Sequence, residues 1–126
     1  MRLEGCRMFT YHYLKIFYNM ELNKLDNFVK GWVVGNFSPA LIKTDKIEFA
    51  IKKYNTNDLE AKHVHKIAKE ITIIISGKFK MNNHILSEGD ILELNPGEIS
   101  EFQCLEGGYT AVIKTPSVID DKYLIN

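Results

Sequence analysis

From Lys30 onward, apolar residues come in short runs broken by turn residues, a pattern of strands rather than helices. Trp32-Val33-Val34 and Ala40-Leu41-Ile42 are short apolar pieces around Gly35-Asn36 and Pro39. Lys46 to Tyr54 alternates through Ile47, Phe49 and Ile51, and Tyr54 joins after a shift of one place. Ile71 to Ile75 is the strongest strand signal, being β-branched throughout, too short for a core helix and stopped by Ser76-Gly77. Lys78 to Met81 and His84 to Leu86 flank Asn82-Asn83, and asparagines accept the positive φ of a tight hairpin turn. Ser87 to Asp90 and Asn95 to Glu98 are further turns around a strand at Ile91 to Leu94. Ile99 to Leu105 and Tyr109 to Lys114, separated by Gly107-Gly108, complete the set. Many short strands with turn chemistry between them predict an all-β sandwich or barrel, such as a double-sheet jelly roll.

The 126 residues suit one domain. Residues 1–29 read as an N-terminal extension, with one short helix over Glu21 to Val29, and residues 30–126 as the domain. Residues 1–19 are basic and aromatic, but His12, Lys15 and Asn19 interrupt any signal-peptide core, and Met20 looks like a natural beginning. Formal net charge is zero, which argues against nucleic acid as the main partner. No apolar run is long enough for a transmembrane helix, so no membrane partner is expected. The two cysteines, Cys6 and Cys104, are too few for a secreted disulfide scaffold. Two reduced thiols in a cytoplasmic protein are expected, with Cys104 in the core.

The candidate chemistry lies in His63-Val64-His65-Lys66-Ile67-Ala68-Lys69-Glu70. Side chains at i and i+2 of a strand share a face, so both imidazoles point the same way. If Glu70 opens the next strand, its carboxylate meets them. Two histidines and one carboxylate form a facial set that leaves open positions on a divalent metal. The same residues also suit metal-free acid–base work near neutral pH, or a polar cluster that only satisfies itself.

The spacing resembles the cupin motifs. His63, His65, Glu70 and Gly77 fall on the first motif, with Asn57 at its leading glycine. Gly89 and Gly97 fall on the second, Pro96 lies one place from the expected proline, and Ser100 stands where the fourth ligand, a histidine, is expected. This resemblance implies a double-stranded β-helix, or jelly-roll barrel, with His63, His65 and Glu70 holding a divalent ion (Fe, Mn, Zn or Ni). Ser100 implies lower affinity or no metal. It further implies a small polar metabolite as substrate or ligand, with isomerase or dioxygenase chemistry, and a homodimer. Cupin-type isomerases and epimerases of nucleotide-linked sugars work without metal, which makes His63 or His65 a base and Tyr54 an acid. A non-catalytic binding or sensor module is the third reading. Lys52 and Lys114 are expected on the solvent-facing half of their strands, as are Glu101 and His84 on the surface, and Trp32 and Phe37 in core or interface.

Overall fold

The computed structural model describes residues 20–126, so Cys6, His12 and the expectation about residues 1–19 lie outside the described residues. In place of one helix over Glu21 to Val29 there are two 3-10 turns, Leu25–Asn27 and Val29–Gly31, separated by extended Phe28. Eleven strands follow: β1 (Trp32–Gly35), β2 (Ile42–Lys43), β3 (Glu48–Tyr54), β4 (Leu59–Val64), β5 (Lys69–Ile74), β6 (Lys78–Met81), β7 (His84–Ser87), β8 (Ile91–Leu94), β9 (Ile99–Glu106), β10 (Gly108–Thr115) and β11 (Tyr123–Leu124). They form a six-stranded sheet, β2-β1-β3-β10-β5-β8, and a five-stranded sheet, β11-β4-β9-β6-β7. Every pairing is antiparallel except β1 with β2.

Turn chemistry sets these bounds as read from the sequence. Asn57 (φ 76°) and Asn82 (φ 53°) both adopt the left-handed conformation asked of them. Gly77 (φ 87°) is required twice over: a Cβ there would also lie 2.5 Å from the Glu106 carbonyl oxygen.

The apolar alternation on two central strands marks the outer face, not the inner one. On β3 no shift occurs: Ala50, Lys52 and Tyr54 share the inner face, while Phe49 and Ile51 are half-buried on the other. On β5 the inner residues are Glu70, Thr72 and Ile74, with Ile71 and Ile73 outside. Each inner face therefore grades from apolar to polar along the strand. Ile74, Phe79, Met81, Leu86, Leu94, Phe102, Cys104 and the Tyr54 ring pack as the core. Toward the other end, Glu70, Thr72, Ser100 and Lys114 line a cavity of about 250 Å³. Cys104 is fully buried in that core, as expected, and has no cysteine partner among the described residues.

Candidate functional site

The sequence-predicted residues converge. His63, His65, Glu70, Ser100 and Tyr54 all line this one cavity. His63 reaches it through a distortion of β4. Pairing with β9 slips between Glu60 and His63, and the bulge lets two residues of opposite parity face inward together. Beyond the slip His63 lies directly opposite Ser100. His65 follows the end of β4, and Glu70 is the second residue of β5. The two imidazole rings meet edge to face, 5.0 Å between centroids.

The partners of each ring define its protons. His63 Nδ1 lies 2.8 Å from the Ala61 carbonyl oxygen, which only accepts, so Nδ1 carries the hydrogen and Nε2 a lone pair. His65 Nε2 lies 3.1 Å from Lys114 Nζ, which only donates, so this Nε2 also presents its lone pair. Of the two lone pairs, His65's is engaged by an ammonium. His63's has no hydrogen-bond partner among the described residues.

Burial holds His63 below its ordinary pKa, although the Ala61 carbonyl works the other way. Burial, then the Lys114 ammonium, push His65 down to about 4. Burial raises Glu70 above the usual carboxylate range against the pull of Lys114. The depressed His65 value has a consequence for stability. Between about pH 6.5 and about pH 4 the unfolded imidazole binds a proton that the folded one refuses, so acid favours unfolding across that window. The urea midpoint is expected to fall steadily from about pH 7 to about pH 4.5, and His65→Gln to flatten the fall. An unchanged slope in His65→Gln would remove the assignment.

Tyr54 sits at the junction of core and cavity. Its ring packs edge-on against Phe79 and Phe102, with centroids 5.5 and 5.2 Å away. Its hydroxyl donates to the Glu60 carboxylate, which also pairs with Lys52 Nζ at 3.3 Å. Burial opposes ionisation of Glu60, but Lys52 and the Tyr54 hydroxyl outweigh it and hold the carboxyl below its usual range. Burial, then Glu60, push the phenol far above its ordinary value. The proton of Tyr54 is thus committed to Glu60.

Lys52 and Lys114 correct the expectation of solvent-facing lysines. Their side chains are 15% and 14% exposed and line the cavity. Register explains Lys114: its cross-strand neighbours on β10 are Glu48 of β3 and Glu70 of β5, an acid on either side. Its Nζ lies 3.6 Å from Glu48 and 4.9 Å from the Trp32 ring, which forms part of the cavity wall. Glu101 and His84 are exposed, as expected, and Phe37 meets Trp32 edge-on at 6.5 Å.

Lys30, Glu60, Thr110 and Lys122 line the cavity without any signal in the sequence pattern. The Thr110 hydroxyl is fully buried and lacks a hydrogen-bond partner among the described residues. A further unheralded residue, Asp121, clasps the segment after His65. Its carboxylate accepts from the backbone N–H groups of Lys66 (2.9 Å), Ile67 (3.1 Å) and Ala68 (2.9 Å).

The donor set does not suit a divalent ion as it stands. Of the two histidines, only His63 is arranged as a ligand, with Nδ1–H on a carbonyl and Nε2 open. An ammonium takes the His65 lone pair, and a hydroxyl stands opposite His63 where a fourth imidazole is expected. Among the described residues no three His, Cys, Asp or Glu side chains are grouped to hold a metal.

No family model matches the chain, and no curated protein does. Solved structures do. A double-stranded β-helix protein from Klebsiella pneumoniae shares 17% identity at TM-score 0.62, over 86% of this chain and 93% of that one. An RmlC-like cupin from Shewanella frigidimarina shares 18% at TM-score 0.57, over 60% of this chain and 71% of that one. Oxalate decarboxylase from Bacillus subtilis, in which Mn(II) centres have been studied, shares 15% at TM-score 0.58. That alignment covers 65% of this chain but only 24% of the decarboxylase. With two facing sheets and these structural matches, the chain has the cupin fold, a double-stranded β-helix.

Proposed function

We propose that the chain binds a small anionic metabolite in the barrel cavity and moves a proton on it through His63. The carrying observation is charge: Lys30, Lys52, Lys114 and Lys122 line the cavity against the carboxylates of Glu60 and Glu70. Burial lowers the Lys122 pKa, and its lysine neighbours add to that despite Glu60, as expected where cations crowd together. An oxyanion relieves that crowding and gives the Thr110 hydroxyl a partner. His63 Nε2 is a neutral base in the same space, and an enolate formed by removing a proton next to a carbonyl would be stabilised by the ammonium groups. Isomerisation or epimerisation of a small organic or sugar acid is the reaction class this supports.

The metal-centred alternative draws support from the His63 tautomer and from the Mn(II) centres of oxalate decarboxylase. Lys114 and Ser100 stand against it. A non-catalytic binding module is favoured by the engagement of His65 with Lys114 and of Tyr54 with Glu60.

Calorimetric titration with a panel of sugar acids, hydroxy acids and sugar phosphates tests the proposal, with proton NMR in D₂O following each compound that binds. Expected is saturable binding that weakens with added salt, together with loss of one C–H signal. His63→Ala should keep the binding and lose the exchange. Tight binding without exchange would make this a binding module, and binding of neutral sugars alone would overturn the anion reading.

A further inference from the structure

We infer that the Lys114 ammonium takes the place of a metal ion as the fixed cation of this cavity, anchoring the ligand's anionic group. This deepens the anion-binding reading and rests on it for the identity of the ligand.

Three observations meet at one atom. Lys114 Nζ sits 3.1 Å from the Nε2 lone pair of His65, the atom that would otherwise coordinate an ion. The side chain is held there by register, between Glu48 on one neighbouring strand and Glu70 on the other. Glu48 is in turn held by the Ser117 hydroxyl, which donates to its Oε2 at 2.7 Å and accepts from the Asn36 N–H at 2.9 Å. The lysine is therefore held by Glu48 on one flank and by His65, rather than free to swing out. Across the cavity, Ser100 replaces the imidazole that would complete a tetrad, opposite His63. The loss of a donor at Ser100 is accompanied by a positive charge at Lys114. An ammonium carries three N–H donors. One is aimed at His65, while Glu48 pairs with the ammonium by charge at 3.6 Å, which leaves donor capacity for an oxyanion in the cavity that Lys114 lines.

A lysine of this kind excludes a divalent cation in two ways. It blocks a ligating nitrogen, and it repels a second positive charge at close range. Removing it and restoring the missing imidazole should then open a metal site from residues already in place.

The experiment measures Ni²⁺ binding by calorimetry, and retained nickel by plasma mass spectrometry after dialysis. The proteins are the full chain and its Lys114→Met, Lys114→Arg, Ser100→His and Ser100→His/Lys114→Met variants, with far-ultraviolet circular dichroism confirming each fold. Wild type, Lys114→Arg and Ser100→His are expected to retain no stoichiometric nickel. The double variant is expected to hold about one ion per chain. In parallel, the best small organic acid should bind Lys114→Met roughly tenfold to a hundredfold more weakly, and Lys114→Arg far less so. Stoichiometric nickel in wild type, lost in His63→Ala, would overturn the inference, as would a folded double variant that takes up none. The metal readout does not depend on any anion binding. A chain that gains nickel as expected but binds no organic acid would sink the functional proposal and leave the lysine-for-metal exchange intact.

Discussion

Asp121→Ala is expected to lower the unfolding free energy by about 3 kcal/mol and to weaken ligand binding in the same protein. Asp121 is 6% exposed, and its carboxylate accepts from three successive backbone N–H groups, at Lys66, Ile67 and Ala68. Hydrogen bonds to a charged acceptor contribute about 1.5–3 kcal/mol each, and N–H groups stripped of a partner are costly where water cannot replace it. Some of the three would regain water at this half-open turn, which keeps the sum near the value for one or two bonds. The same segment carries His65 into the cavity, and the clasp spans 53 to 55 residues of sequence. Loosening it frees the imidazole that meets Lys114. Urea unfolding of Asp121→Ala and Asp121→Asn measures this, and Asn should recover part of the loss because it keeps one acceptor oxygen. A midpoint unchanged in Asp121→Ala would show the carboxylate to be a surface group. The pH dependence carries its own sign. Burial opposes ionisation of Asp121, but the three N–H groups outweigh it and hold the folded pKa below the usual range. That stabilisation is complete above the unfolded value of about 3.9 and is lost as pH falls through the folded value. On acidification the histidine contributions of His63 and His65 are therefore lost first, and those of the carboxylates Glu60 and Asp121 below them.

Phe79→Ala should be more damaging still to the fold, at about 4 kcal/mol. The ring is fully buried at the apolar end of the barrel. It stacks on Phe102 at 5.1 Å with planes 15° apart, and meets Tyr54 edge-on at 5.5 Å. Removing it forfeits both aromatic contacts and leaves a void between two sheets whose hydrogen-bonded ladders resist collapse. Thermal and urea unfolding provide the measurement; a loss below about 1 kcal/mol would mean that the site repacks or is less enclosed than described. Phe79→Leu, which fills most of the volume, should recover about half. Substitutions at the polar end behave differently. Ser100→Ala removes a single hydroxyl from a cavity wall and should change ligand binding more than stability.

Most of the strands and the hairpin turns were legible because they depend on local chemistry, although β11 was not read from the sequence. Asn57 and Asn82 take the positive φ that their turns demand, and Ser100 and Phe102 point inward while Glu101 points out, as a two-residue period requires. The motif spacing likewise located four of the cavity's residues, His63, His65, Glu70 and Ser100, which the two sheets bring together. Alternation misled where the inner face is itself polar. On β3 and β5 Phe49, Ile51, Ile71 and Ile73 lie outside, and Lys52, Glu70 and Thr72 lie inside. A rule that sends hydrophobic residues inward cannot identify a barrel whose interior is part core and part binding site.

What the sequence determined by itself is the all-β class, the turn positions and the histidine pair, each resting on residues within a few places of one another. Tertiary structure alone decided the character of the site. The bulge that brings Glu60 and His63 to one face depends on pairing with β9. Lys114 becomes a cavity cation only because β10 lies between β3 and β5 in a register that sets it between two acids. Asp121 finds its three N–H groups across more than fifty residues of chain. Such contacts are chosen by how two sheets close on each other, so their energies appear only once distant strands are paired, and no local pattern records them.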